Sequence, residues 1–296
     1  MEIQWYPGHM AKAKRALIQQ LGKVNLTVEL CDARLPLSSR NPDLERLLIG
    51  KRRVLLLCKA DLAEPEQTKR WLAYFAAQGV EAMAYDATPA KTKQAKALIE
   101  KAAKDMLDRG LSRGMKKTIR AMVVGVPNVG KSTFINRLYG ASITAVGDRP
   151  GVTRATQWVK AGLYLEVMDT PGLLWPKLSD KLAATRLAYI GTIRDAVYDQ
   201  QALCISLLKD LLTVRRTATC ERYKIKNPDA EGFALLEEVC RGRGFLLKGG
   251  LPDTDRACAV ILDEFRAGKV GRITLERAPE RPAALPPKEA PRDGDD

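Results

Sequence analysis

The sequence has only six cysteines, a single histidine and no long hydrophobic run. The cysteines are scattered without a C-x-x-C pair, whereas disulfide frameworks and zinc sites need close, patterned spacing. We therefore expect reduced thiols that are mostly structural. No stretch approaches the ~20 consecutive apolar residues that a membrane-spanning helix requires, so we expect no such helix and no membrane partner.

The first residues also lack a targeting pattern. They show neither the basic-then-apolar layout of a secretory signal nor the Arg- and Ser-rich composition of an organelle transit peptide. A mean hydropathy of −0.22 with 46% hydrophobic residues is typical of a soluble globular protein. With 296 residues, the chain is long enough for two domains, and we expect it to be cytoplasmic.

The charge is strongly positive, with a formal net charge of +14 and a sequence pI of about 9.6. Such a surplus attracts polyanions, because each neutralised phosphate releases condensed counterions. Nucleic acid is the leading partner class, an anionic membrane surface is the alternative, and a basic but merely solvated surface stays open. Nothing in the sequence indicates self-association.

Apolar runs alternate with helical patterns over the first 177 residues, which predicts an α/β fold with a mostly parallel sheet covered on both faces. The predicted strands are Leu26–Cys31, Val54–Cys58, Val80–Tyr85, Ala121–Val124 and Leu163–Met168. The predicted helices here are an amphipathic segment within residues 1–23, Pro65–Gln78, Lys91–Leu107 and Lys131–Leu138.

From residue 178 the strand-like runs stop, and helical patterns predict a second, all-α domain over residues 178–277. Its predicted helices are Lys181–Ile190, Ala202–Leu212, Gly232–Arg241 and Asp253–Ala267. Residues 278–296 hold five prolines among charged residues, and we expect a disordered tail there.

A phosphate-binding motif, G-x-x-x-x-G-K-[ST], runs from Gly125 to Ser132 between a predicted strand and a predicted helix. Its glycines let consecutive N–H groups point at a polyphosphate, Lys131 reaches the β- and γ-phosphates, and Ser132 ligates Mg²⁺. This context disfavours an ordinary glycine-containing turn. The residues assigned to this loop are Asn128, Val129, Gly130, Lys131, Ser132 and Thr133.

A second motif, D-x-x-G, follows a predicted strand at Asp169 to Gly172. An acid at a strand end can hold Mg²⁺, and a glycine three residues later lets its N–H meet the γ-phosphate. Thr153, in the polar segment before it, could complete the Mg²⁺ shell, although a solvated loop hydroxyl is the open alternative.

The base-recognising element precedes the phosphate loop instead of following it. Guanine presents two donors that one carboxylate can accept as a pair. In GTPases N-K-x-D supplies that carboxylate, and the one near-match here is Cys58-Lys59-Ala60-Asp61 after an apolar strand. Because a thiol makes hydrogen bonds poorly, we expect guanine selectivity with weakened nucleotide affinity.

The motif order is therefore permuted. We expect the strand that ends at Cys58 to lie beside the strand that leads into the phosphate loop. Asp86 and Ala87, after the next strand, are candidates for a second base-contacting loop. The chain leaves the D-x-x-G motif directly into the helical region, so a γ-phosphate sensor could re-aim that region.

Several separated motifs together resemble the YlqF/RbgA family of circularly permuted GTPases over about residues 1–277. They are the opening W-Y-P-G-H-M-A-K-A (5–13), the G-V-P-N-V-G-K-S loop, D-T-P-G-L-L-W-P (169–176) and G-K-V-G-R (268–272). The resemblance implies a Rossmann-like GTPase domain, a helical RNA-binding domain, and late assembly of the bacterial large ribosomal subunit. It also implies that the immature subunit and its rRNA stimulate GTP hydrolysis.

The resemblance further implies two roles in hydrolysis. Leu173 stands where many GTPases carry a water-orienting glutamine, so His9 becomes the candidate catalytic residue. A histidine that only caps or packs a helix is the alternative. Asn128 resembles the asparagine that holds K⁺ in potassium-stimulated GTPases, and K⁺ could neutralise transition-state charge.

Two other functions stay open beside the assembly GTPase. One is a nucleotide-switched RNA-binding module whose hydrolysis is incidental. The other is an ATP-using P-loop enzyme, for which the sequence shows no acceptor site.

Overall fold

The computed structural model describes residues 15, 17–48, 50–111, 118–140, 157–161, 165–170, 172, 180–193 and 198–280. The strands are β1 (Leu26–Asp32), β2 (Arg52–Cys58), β3 (Glu81–Tyr85), β4 (Ile119–Gly125), β5 (Gln157–Lys160) and β6 (Leu165–Asp169). The helices are α1 (Pro42–Leu47), α2 (Pro65–Ala77), α3 (Pro89–Leu111), α4 (Lys131–Tyr139), α5 (Lys181–Tyr189), α6 (Gln200–Tyr223), α7 (Phe233–Arg243) and α8 (Thr254–Arg266).

These strands form one sheet in the order β3-β2-β1-β4-β6-β5. All neighbouring pairs are parallel except β5 with β6, which is antiparallel. The predicted α/β class with a mostly parallel sheet is confirmed. The expectation that β2 lies beside β4 is wrong, because β1 separates them and pairs with both.

Alternate residues of the central strands face opposite sides of the sheet, and both faces are covered as predicted. Val28 and Leu30 face the core beneath α3 and α4, whereas Cys31 packs with Trp71 and Phe75 of α2. Full burial on both faces explains why these strands are near-continuous apolar runs. Because five of the strands are parallel, their carboxyl ends all lie at the same end of the sheet.

The predicted helices after residue 178 are confirmed with boundary shifts of one or two residues, except for α6. That helix was predicted over 202–212 and runs from Gln200 to Tyr223, with non-helical dihedral angles at Arg215. Asp180 and Asp199 cap the starts of α5 and α6 by accepting hydrogen bonds from the first-turn N–H groups.

After α8 the chain returns to the sheet. Leu275 N donates to Arg34 O (3.0 Å), and Ile273 N donates to Leu62 O (2.9 Å). Trp71 Nε1 donates to Glu276 O at 2.7 Å. Ala278, assigned to the start of the tail by its sequence, is buried and donates to Gln67 Oε1.

Within the part of the chain that the structure describes, no helix is both long and apolar enough to cross a membrane.

Candidate nucleotide site

The phosphate-binding loop lies between the end of β4 and the start of α4, as predicted. A Cβ atom on Gly125 would lie 2.6 Å from Leu30 O, so only glycine fits beside β1 there. Asn128 and Gly130 both have a positive φ, of 59° and 108°. These left-handed residues turn the backbone so that α4 begins at Lys131 with its N-terminal end toward the loop.

Lys131 is buried within this loop. Its Nζ donates to Gly125 O (3.2 Å) and Val126 O (2.8 Å), which curls the side chain back over the turn. Burial lowers the pKa of Lys131 to about 8, and the nearby Asp169 carboxylate opposes that shift. A bound polyphosphate would favour the charged ammonium in the same way.

The D-x-x-G segment lies directly against the phosphate loop. Thr170 Oγ1 donates to Val123 O at 2.6 Å, which ties the segment to β4. A Cβ atom on Gly172 would lie 2.7 Å from both Cα and N of Pro127. This glycine is therefore required by the close approach of two backbones, and it brings the two phosphate-facing segments together.

The chemistry of the oxygen donors fits Mg²⁺. Ser132 lies in the first turn of α4, and Asp169 is the buried last residue of β6. Among the described residues no group of three or more His, Cys, Asp or Glu side chains could hold a metal ion alone. Mg²⁺ suits such a sparse site, because it binds through one or two protein oxygens together with substrate phosphates.

The base loop follows β2. Lys59 has a positive φ of 56°, and Leu62 N donates to Lys59 O at 2.9 Å, which closes a tight turn that leaves Asp61 exposed. Ala60 N donates to Tyr85 O at 3.1 Å, joining this turn to the end of β3.

The loop after β3 is also tightly turned. Ala87 has a positive φ of 60°, and Asp86 Oδ1 accepts hydrogen bonds from Thr88 N (3.2 Å) and Thr88 Oγ1 (2.7 Å). The structure thus brings both candidate base loops to one end of the sheet.

The base loop and the phosphate loop lie along the same edge although β1 separates their strands. Two strand spacings amount to about 10 Å, which leaves room for a ribose between a base and its phosphates.

Cys58, at the end of β2, is influenced by both loops. Burial raises the pKa of the Cys58 thiol, while the Lys131 ammonium is close enough to oppose this.

Asp32 and Arg34 belong to none of the motifs found in the sequence, yet both lie at the site. Asp32 ends β1 directly between the two loops, and both side chains are buried and paired. Charged residues directly after a predicted apolar strand were the signal that could have found them, because such residues meet at one sheet edge.

The region after α5 also contacts the phosphate loop, which no sequence motif indicates. Asn128 Nδ2 donates to Gly191 O at 2.8 Å, and Thr192 Oγ1 donates to Pro127 O at 3.1 Å. The phosphate loop is therefore hydrogen-bonded to the connection between α5 and α6. His9 and Thr153 lie outside the described residues.

Known proteins match both this arrangement and the sequence. A family model described as "50S ribosome-binding GTPase" matches residues 120–226. Ribosome biogenesis GTPase A of Priestia megaterium is 41% identical over 279 residues, covering 93% of this chain and 97% of that protein. The Bacillus cereus protein of the same name is 40% identical, covering 95% of each chain.

The chain belongs to the ribosome biogenesis GTPase A family. The crystal structure of GNP-bound YlqF from T. maritima superposes with a TM-score of 0.63 at 27% identity, covering 90% of this chain and 98% of that one. The chain is accordingly a GTP-hydrolysing enzyme that binds GTP and GDP with Mg²⁺.

Proposed function

We propose that this GTPase acts in ribosome biogenesis as a late assembly factor of the large subunit, and that the precursor particle stimulates its GTP hydrolysis. The contact that carries the proposal is the hydrogen bond from Asn128 in the phosphate loop to Gly191 O after α5. Through it, changes around the phosphates reach the helical region that follows. The names of the relatives supply the biological setting.

The partner is an rRNA-containing precursor. The chain has a net charge of +14, and its helical region exposes cations that include Lys224, Lys226 and Lys248. Such cations neutralise phosphates and gain affinity from counterion release. We infer that residues 178–277 form the RNA-binding domain and that the protein acts as a monomer.

Within the nucleotide site, the described geometry supports the predicted roles except that of Thr153, which lies outside the described residues and is assigned from the sequence. The Asp61 carboxylate accepts the guanine edge, the Lys59 stem covers the base, and the loop after β3 lies alongside. Lys131 and the N–H groups of the turn bind the β- and γ-phosphates, while Ser132, Asp169 and Thr153 serve the Mg²⁺ ion.

Two further groups complete the proposed chemistry. His9 orients the attacking water when the precursor particle is bound, because the residue after D-x-x-G, Leu173, has no hydrogen-bonding group. Asn128 contributes to a K⁺ site whose charge stabilises the transition state.

The test is co-sedimentation of the protein with large-subunit precursors, in GDP or a non-hydrolysable GTP analogue, together with GTP turnover with and without particles. We expect binding that depends on the GTP analogue and faster turnover with particles. If no particle raises the rate while nucleotide-dependent RNA binding persists, the RNA-binding module with incidental hydrolysis is the better description.

The same assay separates the two chemical roles. His9→Ala should leave GTP binding intact and remove most of the stimulated turnover; an unchanged stimulated kcat would reject the catalytic role. Turnover should be faster in KCl than in NaCl of matched ionic strength, and equal rates would argue against the K⁺ site.

A further inference from the structure

A buried ion pair lies between the two nucleotide loops. Arg34 Nε and Nη2 donate to the two carboxylate oxygens of Asp32 at 2.9 and 2.8 Å, and Arg34 N adds a third bond at 3.0 Å. Both side chains are almost completely buried, at 1% and 0% exposure. A bidentate pair with this geometry fixes the orientation of the carboxylate.

That carboxylate also holds the base-loop lysine. Lys59 Nζ lies 3.5 Å from Asp32 Oδ2, the oxygen that accepts from Arg34 Nη2. Burial tends to raise the pKa of Asp32, but the charges of Arg34 and Lys59 hold it below its usual range. Asp32 is therefore an anion shared by two cations, the buried Arg34 and Lys59 of the base loop.

The guanidinium has a second role at the end of α8. Arg34 Nη1 donates to Phe265 O at 2.9 Å and to Arg266 O at 3.4 Å, and its guanidinium carbon lies 5.0 Å from the centre of the Phe265 ring. A cation there satisfies terminal carbonyls and interacts favourably with the helix dipole.

A second arginine, Arg266 at the end of α8, connects this helix to the end of α5, next to the phosphate loop. The Arg266 side chain donates to Ala188 O (3.1 Å) and Tyr189 O (3.0 Å) at the end of α5. Two residues further on, Gly191 O accepts the bond from Asn128. Each arginine thus satisfies carbonyls at a helix end, and the pair joins the base loop to the phosphate loop.

We propose that Arg34 is a positioning residue for nucleotide binding. It fixes the orientation of Asp32, which holds Lys59 over the base. Because Arg34 also binds the end of α8, the position of Lys59 depends on how α8 packs against Arg34. This inference rests on the proposed role of Lys59 in the base pocket. Loss of Arg34 leaves Asp32 and Lys59 without a fixed geometry, so the guanine nucleotide binds more weakly.

A double-mutant cycle on the full-length chain tests this, with the affinity for a fluorescent GDP analogue as the readout. Arg34→Met should weaken binding by about tenfold in the otherwise unchanged protein. In a Lys59→Met background the same change should have an effect of about twofold or less, because the residue through which it acts is gone. An equal loss in both backgrounds, or no loss at all, would overturn the proposal.

Arg40, in the same connection between β1 and α1 as Arg34, provides a matched control. Its guanidinium pairs with buried Glu29 through Nε at 2.9 Å and Nη2 at 3.2 Å. Arg40→Met should therefore lower the stability to urea much as Arg34→Met does, while GDP affinity stays within about twofold. Equal losses of affinity in both variants would show that Arg34 acts only through general stability.

Three other variants show whether a negative result concerns folding, the base pocket or Arg34 itself. If Arg34→Met does not fold, Asp32→Asn combined with Arg34→Met removes both buried charges, and wild-type affinity in that variant would reject the proposal. Lys59→Met and Asp61→Asn report on the base pocket itself. Wild-type GDP binding in both would mean that the pocket assignment has failed, whereas losses in both with an unaffected Arg34→Met would reject the Arg34 role alone.

Discussion

At the level of single residues, Cys58 at the end of β2 determines which hydrogen bonds can stabilise the base loop. Cys58 is buried, and burial raises the pKa of its thiol, so the group stays neutral near pH 7. A neutral thiol is a weak hydrogen-bond donor and acceptor, whereas the asparagine usual in this motif offers a full amide.

We expect Cys58→Asn to tighten GDP binding by about threefold or more, the size of one added hydrogen bond. Equilibrium titration with a fluorescent nucleotide measures it. Cys220→Asn, a half-buried cysteine of α6, serves as the control and should leave the affinity unchanged. If the GDP affinity of Cys58→Asn is unchanged or weaker, the thiol does not lower the nucleotide affinity of this protein.

The exposed carboxylate of Asp61, three residues after Cys58, should decide whether a guanine or an adenine nucleotide binds. Asp61→Asn replaces one oxygen acceptor by an NH₂ donor facing the guanine donors, so the preference for GTP over ATP should fall by at least about tenfold. Competition of GTP and ATP for a labelled nucleotide measures the change, with exposed Asp108→Asn in α3 as control. If GTP still outcompetes ATP to the wild-type extent, Asp61 does not recognise the base.

At the scale of elements, the site is made where loops after parallel strands approach one another. The close approach of Gly172 to Pro127 places the segment after β6 against the phosphate loop without an intervening side chain. Gly125 allows a similar approach of the phosphate loop to β1. Backbone proximity at both positions is therefore part of the site geometry.

Gly172→Ala should separate the two segments, because its Cβ would lie 2.7 Å from backbone atoms of Pro127. We expect GTP turnover to fall by about tenfold or more, since small misplacements of reacting groups are costly. GDP affinity should change by only about threefold, because the phosphate loop itself stays intact. The control is Gly22→Ala, whose added Cβ would meet nothing within 4 Å. Turnover unaffected by Gly172→Ala would show that this approach is not needed.

At the scale of the whole molecule, the segment after α8 joins the helical region to the sheet. The Glu276 carboxylate accepts hydrogen bonds from Leu37 N at 2.6 Å, from Ser38 N at 3.1 Å and from the Ser38 hydroxyl. It also pairs with Arg186 of α5 at 3.2 Å. One buried carboxylate thus connects the loop after β1 with α5.

Glu276→Gln should lower the free energy of unfolding by about 2 kcal/mol, since the amide offers one acceptor in place of two and leaves Arg186 without its charge partner. Urea unfolding monitored by circular dichroism measures it. Exposed Glu280→Gln removes the same charge and should change stability by less than about 0.5 kcal/mol. Equal midpoints for the two variants would contradict the structural role of Glu276.

Local pattern predicted most elements of this fold because the strands are buried on both faces and the helices have an apolar face. It missed β5, a four-residue edge strand, and α1, a six-residue helix, since such short elements carry too few periodic positions. It predicted the phosphate and base motifs because their residue types are dictated by the ligand.

Local stretches of the sequence were sufficient to predict the α/β class, the phosphate loop and the D-x-x-G segment, and the positions of the motifs along the chain give their permuted order. The three-dimensional fold was needed to show that β1 separates β2 from β4, that Asp32 and Arg34 lie between the two loops, and that the end of α8 and the connection after α5 contact them. Those features depend on pairings between residues up to 232 positions apart, such as Arg34 with Arg266. Chain topology brings such residues together, and no local pattern encodes it.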